Sequence, residues 1–219
     1  MKKRIILHIE TSPLPKEELV KNAPVFKAAA NLKDPAKIIE DVEKKKSKYF
    51  EEARFSESSG YVCAIAYKEI DNRTVHYLDH TTNTEKELID AVRKVIEHKE
   101  GTITFRGARF VFPFIARRAA KYEGESLFTG GSLYSKEHIG RLQPQHIDLA
   151  QIWSCGGLGH TETIDEIDRT LEVDYTPPVT PVYQLIEDNR QDDAIKDMST
   201  TLVALEKIAK IVLEGVDAI

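Results

Sequence analysis

Only two of the 219 residues are cysteines, Cys63 and Cys155, which is too few for a disulfide framework. No apolar run approaches the roughly 20 residues that a membrane-spanning helix needs, so no membrane partner is expected. Cationic excess is missing as well: 31 Lys and Arg against 36 Asp and Glu leave a formal charge of -5. The molecule as a whole does not attract polyanions, and any surface for nucleic acid has to be a local basic patch. A glycine-rich nucleotide fingerprint and a nucleophile elbow are both absent. Neither an internal repeat nor a low-complexity segment interrupts the chain. The opening MKKRIILHIE has the basic flank of a secretion signal, but His8 and Glu10 break its apolar run before a signal core forms. A reducing cytoplasm is the expected compartment.

What is present is 41% hydrophobic residues, enough to bury one sizeable core, so residues 1–219 read as a single domain. The run IILHI predicts a buried first strand that stops at the turn-prone TSPLP. Residues 34–55 start with Asp-Pro and carry Ile38, Ile39, Val42, Tyr49 and Ala53 at helical spacing, which predicts a helical insertion after that strand. YVCAIAY and TVHYLDH, separated by Asp71-Asn72, predict a strand hairpin. TEKELIDAVRKVIEH follows with a threonine cap, a glutamate three residues later and one apolar stripe. GTITF predicts a strand, and FPFIARRAAKY a helix with proline in its first turn. The glycine pairs in FTGGSLY and SCGGLGH mark surface connections on either side of HIDLAQIW. TIDEIDRTLEV and PVYQLIED predict short helices. The last helix sets Ile195, Met198, Leu202, Leu205, Ile208, Ala209 and Leu213 on one stripe. The layout is α/β, a mixed central sheet flanked by helices.

Taken in order, HIETSPLP, NLKDPAKI, SGYVCAIAY, FVFPFIARRA, HIDL, TIDEIDRTLEV and VYQLIED extend over essentially the whole chain. This ordered set resembles the DnaQ-like (RNase H-like) 3'-5' exonucleases related to the proofreading domain of family-B DNA polymerases, a group common in phages and prophages. The resemblance implies the RNase H-like fold. It also implies a site in which Asp-x-Glu on the first strand, a Phe-Asp pair after an asparagine-containing turn and an Asp on the last helix hold two divalent metals. Such ions activate water and steady the leaving oxygen of a phosphodiester, and hard ions of this kind require anionic oxygen ligands.

Carried over residue by residue, the resemblance puts His8 at the first aspartate and leaves Glu10 as the surviving glutamate. Val111 falls at the second aspartate and Arg106 at the asparagine. Leu202 falls at the last aspartate, and Met198 at the tyrosine or histidine one turn before it, where the general base would stand. Three of four metal carboxylates are replaced, two of them by aliphatic side chains, and the expectation is a degenerate catalyst without a bound metal. Removing the cations leaves carboxylates that repel one another, and apolar replacements relieve that repulsion while adding burial.

Several residues keep two readings. Glu10 is a residual metal ligand, with His8 a possible zinc or manganese partner, or it is a buried carboxylate paired with His8. Glu206, Asp197 and Asp79 are relocated acids that could rescue one metal, or structural charges. Asp148 in HIDL reads as a helix cap or as a group behind the site. Arg106, Arg109, Arg117, Arg118, Lys121 and Arg141 form the basic set near the cleft: phosphate contacts in a single-strand groove, or a solvated face. Arg106 can hold a phosphate or pair with Glu10. Cys155 and His160 are too few for zinc. Trp153, Tyr134 and Tyr183 can stack on bases or serve as core edges.

The function expected is a catalytically degenerate exonuclease-like protein that binds single-stranded nucleic acid or a replication, host or defence protein. One alternative is an active 3'-5' exonuclease with a rearranged site, using magnesium or manganese. Another is a structural or oligomerising module.

Overall fold

Among the described residues, five stretches are extended: β1 (Ile5–Pro13), β2 (Gly60–Glu69), β3 (His76–Asp79), β4 (Thr102–Thr104) and β5 (His146–Asp148). The computed structural model describes residues 4–97, 101–123, 146–155 and 163–214. The strands form one sheet in the order β3-β2-β1-β4-β5. β1 and β4 run parallel, with Ile5 opposite Thr102 and Ile6 opposite Ile103. β5 is parallel to β4, with Thr104 opposite Asp148, whereas β2 and β3 are an antiparallel hairpin that pairs Tyr67 with His76. Asp71 at the hairpin turn takes a left-handed φ of 63°, which Asp tolerates better than most residues. The sheet is therefore mixed, as expected.

By internal contact the described chain divides into two compact units, one of them Thr11–Tyr61 and the other the rest. In the larger unit, α3 (Glu85–Glu97) and α4 (Phe112–Glu123) supply the apolar side chains that pack on β1 and β2. Ile5, Leu7 and Ile9 on alternate positions of β1 meet Leu88 and Val92 of α3 and Phe112 and Ile115 of α4. α3 begins with the expected box: the Thr84 amide donates to Glu87 at 2.7 Å, and the Glu87 amide to Thr84 Oγ1 at 3.3 Å. α5 (Leu149–Trp153), α6 (Ile164–Leu171), α7 (Val182–Glu187) and α8 (Gln191–Leu213) complete the unit. α6 carries a second capping box, between Thr163 and Glu166. α8 buries Met198, Leu202, Leu205, Ile208, Ala209 and Leu213 of the expected stripe. Ile195 does not belong with them, being 38% exposed; Ala194 turns inward in its place at this end of the helix.

Residues 11–61 hold α1 (Lys16–Asn22), which periodicity missed, and α2 (Pro35–Glu52) followed by a 3-10 turn at Ala53–Phe55. Asp34 caps α2 by accepting from the Ala36 amide at 2.9 Å. The helix expected from the apolar spacing is present, with Ile38, Val42 and Tyr49 half-buried, although no residue of α2 is fully buried and Ile39 is 65% exposed. Its inward contacts are aromatic: Tyr49 donates to the Leu19 carbonyl at 3.3 Å and packs edge-on against Phe26 and Phe50. Only Leu14, Leu19 and Ala53 form a buried cluster here. Asp41 and Lys45 fasten the segment before the helix, through the Ala29 amide and the Lys27 carbonyl. Two further expectations differ. β1 continues through the turn-prone Thr11-Ser12 to Pro13, and β5, only three residues long, was too short to give a periodic signal.

Candidate active site

Alternation along β1 puts His8 and Glu10 on the same face of the strand, opposite the face of Ile5, Leu7 and Ile9. His8 Nε2 lies 3.3 Å from Glu10 Oε1, with the two side chains 21% and 22% exposed. Glu10 is thus half-solvated and paired rather than sunk in the core. Two tyrosines lie within its electrostatic reach. Burial first, then Asp79, push the Tyr77 hydroxyl toward its neutral form, and Glu10 adds to that. Tyr175, between α6 and α7, is raised mainly by burial, with Glu10, Asp197 and Asp165 reinforcing the shift and a hydrogen bond to Thr201 opposing it. Tyr175, Thr201 and Tyr77 escaped the sequence reading. Tyr175 sits in VDYTPPVTP, whose prolines signal only a connector.

The strand β4 leads into a π-helical turn at Gly107–Val111, which feeds directly into α4. Arg106 enters this turn with a left-handed φ of 57°, and its guanidinium carbon lies 5.7 Å from the centre of the Phe105 ring. π turns and left-handed non-glycine residues recur at functional sites. Gly107 is required by space: a Cβ there would lie 1.9 Å from Thr104 Oγ1 and 3.1 Å from the Phe112 ring. Asp148 steadies the turn. One carboxylate oxygen accepts from the Ala108 amide at 3.0 Å, and the other caps α5 through the Ala150 amide at 3.1 Å. The turn delivers Val111 to the interior at 3% exposure, packed with Ile9 and Phe114. On α8, Leu202 and Met198 are 0% and 1% exposed.

The other acids named from sequence are occupied elsewhere. Glu206 is held by Lys68 of β2, by the Asp71 amide at 2.8 Å and by Lys210 at 3.1 Å. Burial raises its pKa, but these three donors together outweigh burial and hold it below the usual glutamate range. It therefore serves the β2–α8 contact and is no ligand in waiting. Asp79 accepts from the Thr81 amide and hydroxyl, at 2.9 and 2.6 Å, in the turn after β3. Asp197 is half-buried, and burial followed by Asp193 raises its pKa. Among the described residues, no group of three His, Cys, Asp or Glu side chains is placed to hold a metal ion.

Of the basic set, Arg118 has to be removed. It is 4% exposed, and its fork grips Glu85: Nε donates to Oε1 at 2.7 Å and Nη2 to Oε2. Glu85 also accepts from the Val62 amide at 2.9 Å and from the Tyr122 hydroxyl, so one carboxylate joins β2, α3 and α4. Arg109, Arg117 and Lys121 are exposed, and Arg106 is half-buried with its field reaching Glu166. Trp153 and Tyr183 are half-buried, and Cys155 is exposed with a left-handed φ of 50°. Arg141, Tyr134 and His160 lie outside the described residues, as do most of the two glycine-rich connections.

The family model described as RNase_H superfamily matches residues 50–188. The chain belongs to the RNase H superfamily. The match takes in the hairpin, α3, β4, the π turn and α4, and it leaves β1 and α8 outside. Among solved structures, this RNase H-like chain is similar to the family B DNA polymerase from the hyperthermophilic archaeon Pyrobaculum calidifontis. The likeness has a TM-score of 0.56 at 15% identity and covers 98% of the chain. The chain spans only 25% of the length of that polymerase. No curated protein sequence matches it. The mixed five-stranded sheet with its flanking helices is accordingly an α/β RNase H-like fold. No helix among the described residues is long and apolar enough to cross a membrane.

Proposed function

We propose that this RNase H-like chain is a catalytically degenerate relative of the metal-dependent 3'-5' exonucleases that binds nucleic acid without cutting it. One observation carries the reading: Val111, Leu202 and Met198, at the positions where the resemblance calls for two carboxylates and a general base, are buried and apolar. The donor set does not fit two divalent cations. Valine, leucine and methionine offer no oxygen, and Glu10 is left with a neutral or cationic imidazole as its neighbour. A hard dication requires several anionic oxygens to repay its lost hydration, and one half-solvated carboxylate does not supply them. Glu206, the acid best placed in sequence to substitute, is engaged with Lys68.

Exposed Arg109, Arg117 and Lys121 support the binding half of the proposal on a chain whose net charge of -5 gives no general attraction to polyanions. The test is degradation of a 3'-labelled single-stranded oligonucleotide with magnesium and then manganese, beside anisotropy of the same probe at low salt. No digestion with salt-sensitive binding is the expected result. Digestion that disappears in Glu10→Ala would overturn it and establish a rearranged active site. Absence of both signals would turn the search to a protein partner from replication or host defence.

A further inference from the structure

The helix α4, Phe112–Glu123, contains no acidic residue before its last position, yet Arg117 and Lys121 are exposed one turn apart on it. Arg109 is exposed on the π-helical turn that leads into α4, eight residues before Arg117. Four residues of α-helix advance about 6 Å, so Arg117 and Lys121 stand one turn apart, and Arg109 precedes Arg117 by about two turns. Arg118, next to Arg117 in sequence, is turned inward to Glu85 and fixes the helix against α3 and β2. Arg117 and Lys121 therefore belong to a rigid support.

Tyr122 adjoins Lys121. The Tyr122 hydroxyl is held by Glu85, burial followed by that contact pushes its pKa up to about 12, and the residue is still 39% exposed. Lys121 Nζ sits 5.8 Å from the centre of its ring. An aromatic ring anchored at its far end and open to solvent beside a cation is a platform on which an unpaired base can stack.

The geometry points to the outer side of α4 as the track for the sugar-phosphate backbone of a single strand, with Arg109, Arg117 and Lys121 contacting phosphates and Tyr122 stacking a base. Three cations beside one aromatic suit an unpaired strand; the two phosphate rows and stacked bases of a duplex would leave the ring unused. This assignment rests on the proposed nucleic-acid function and names its strand class and contact surface.

The experiment is anisotropy of a fluorescein-labelled oligothymidylate across a salt series. Wild type is compared with Arg109→Ala/Arg117→Ala/Lys121→Ala and, as a control, with Lys44→Ala/Lys46→Ala/Lys48→Ala, three exposed lysines of α2. Loss of three phosphate contacts should weaken binding at least about tenfold and flatten the slope of log K against log salt by about 2. The α2 control should bind like wild type, and the urea midpoints of both variants should stay close to it. Tyr122→Ala should weaken binding, whereas Tyr122→Phe, which loses the Glu85 contact but keeps the ring, should not. Wild-type binding that the α4 variant leaves unchanged, or that the α2 variant weakens equally, overturns the track while leaving the function standing. Equal binding of a duplex probe overturns the single-strand assignment. No binding by wild type sinks the nucleic-acid function itself and the track with it.

Discussion

Glu10 and Glu206 both belong to the larger unit, and the chain treats them in opposite ways. Glu206 has a side chain only 10% exposed and answers its burial with three donors, from Lys68, the Asp71 amide and Lys210. Glu85, 7% exposed, is satisfied just as fully by Arg118, the Val62 amide and Tyr122. Glu10 has His8 at 3.3 Å and keeps partial contact with water. A buried carboxylate must be completely paired or its lost hydration is not recovered, whereas a half-solvated one tolerates a weak partner. In this molecule, then, the demanding carboxylates tie elements together, whereas Glu10 pairs with His8 two residues away on its own strand.

Breaking the clamps should show this first. Arg118→Ala leaves Glu85 buried without its fork, and unfolding in urea should reveal a loss of about 3–5 kcal/mol. Lys68→Met removes the strongest contact of Glu206 but leaves the Asp71 amide and Lys210, so a smaller loss of about 2–3 kcal/mol is expected by the same measurement. The comparison sharpens with pH. Because the folded Glu206 titrates below its unfolded value, its contribution is fully present above the ordinary glutamate range and disappears as the pH falls through the folded value. Wild-type stability should therefore drop in acid, and Glu206→Gln should be less stable at neutrality with a flatter acid limb. Glu10→Gln should shift stability by no more than about 1 kcal/mol, in keeping with a partly exposed pair. A loss near that of Arg118→Ala would mean that Glu10 is architectural after all.

The elements that announced themselves in sequence are those whose signal is local. Thr84 with Glu87, Thr163 with Glu166, and Asp34 before Pro35 each start a helix where capping chemistry places the start. The hairpin followed from two apolar runs around Asp71-Asn72. Residues 34–55 exposed the limit of periodicity, since spacing predicts a face and not whether anything covers it. The clamps were illegible for a different reason: 33 residues separate Arg118 from Glu85 and 138 separate Lys68 from Glu206, so neither pair leaves a short-range pattern. Arg118 accordingly read as one more cation beside Arg117. At the site, the positions of Val111, Leu202 and Met198 came from resemblance to a motif order, and their burial came only with packing. Tyr175 was hidden in a connector.

The separation of Lys68 from Glu206 also sets a timetable for synthesis. A ribosome adding about 5–20 residues per second needs roughly 7–30 s to pass from one to the other. Throughout that interval Lys68 lacks the Glu206 carboxylate that holds it in the folded chain, and the turn at Asp71 lacks its contacts to α8. The apolar residues that pack against the buried side of α8 stay uncovered until that helix emerges. Holding chaperones should engage the nascent chain in that window and release it when α8 docks.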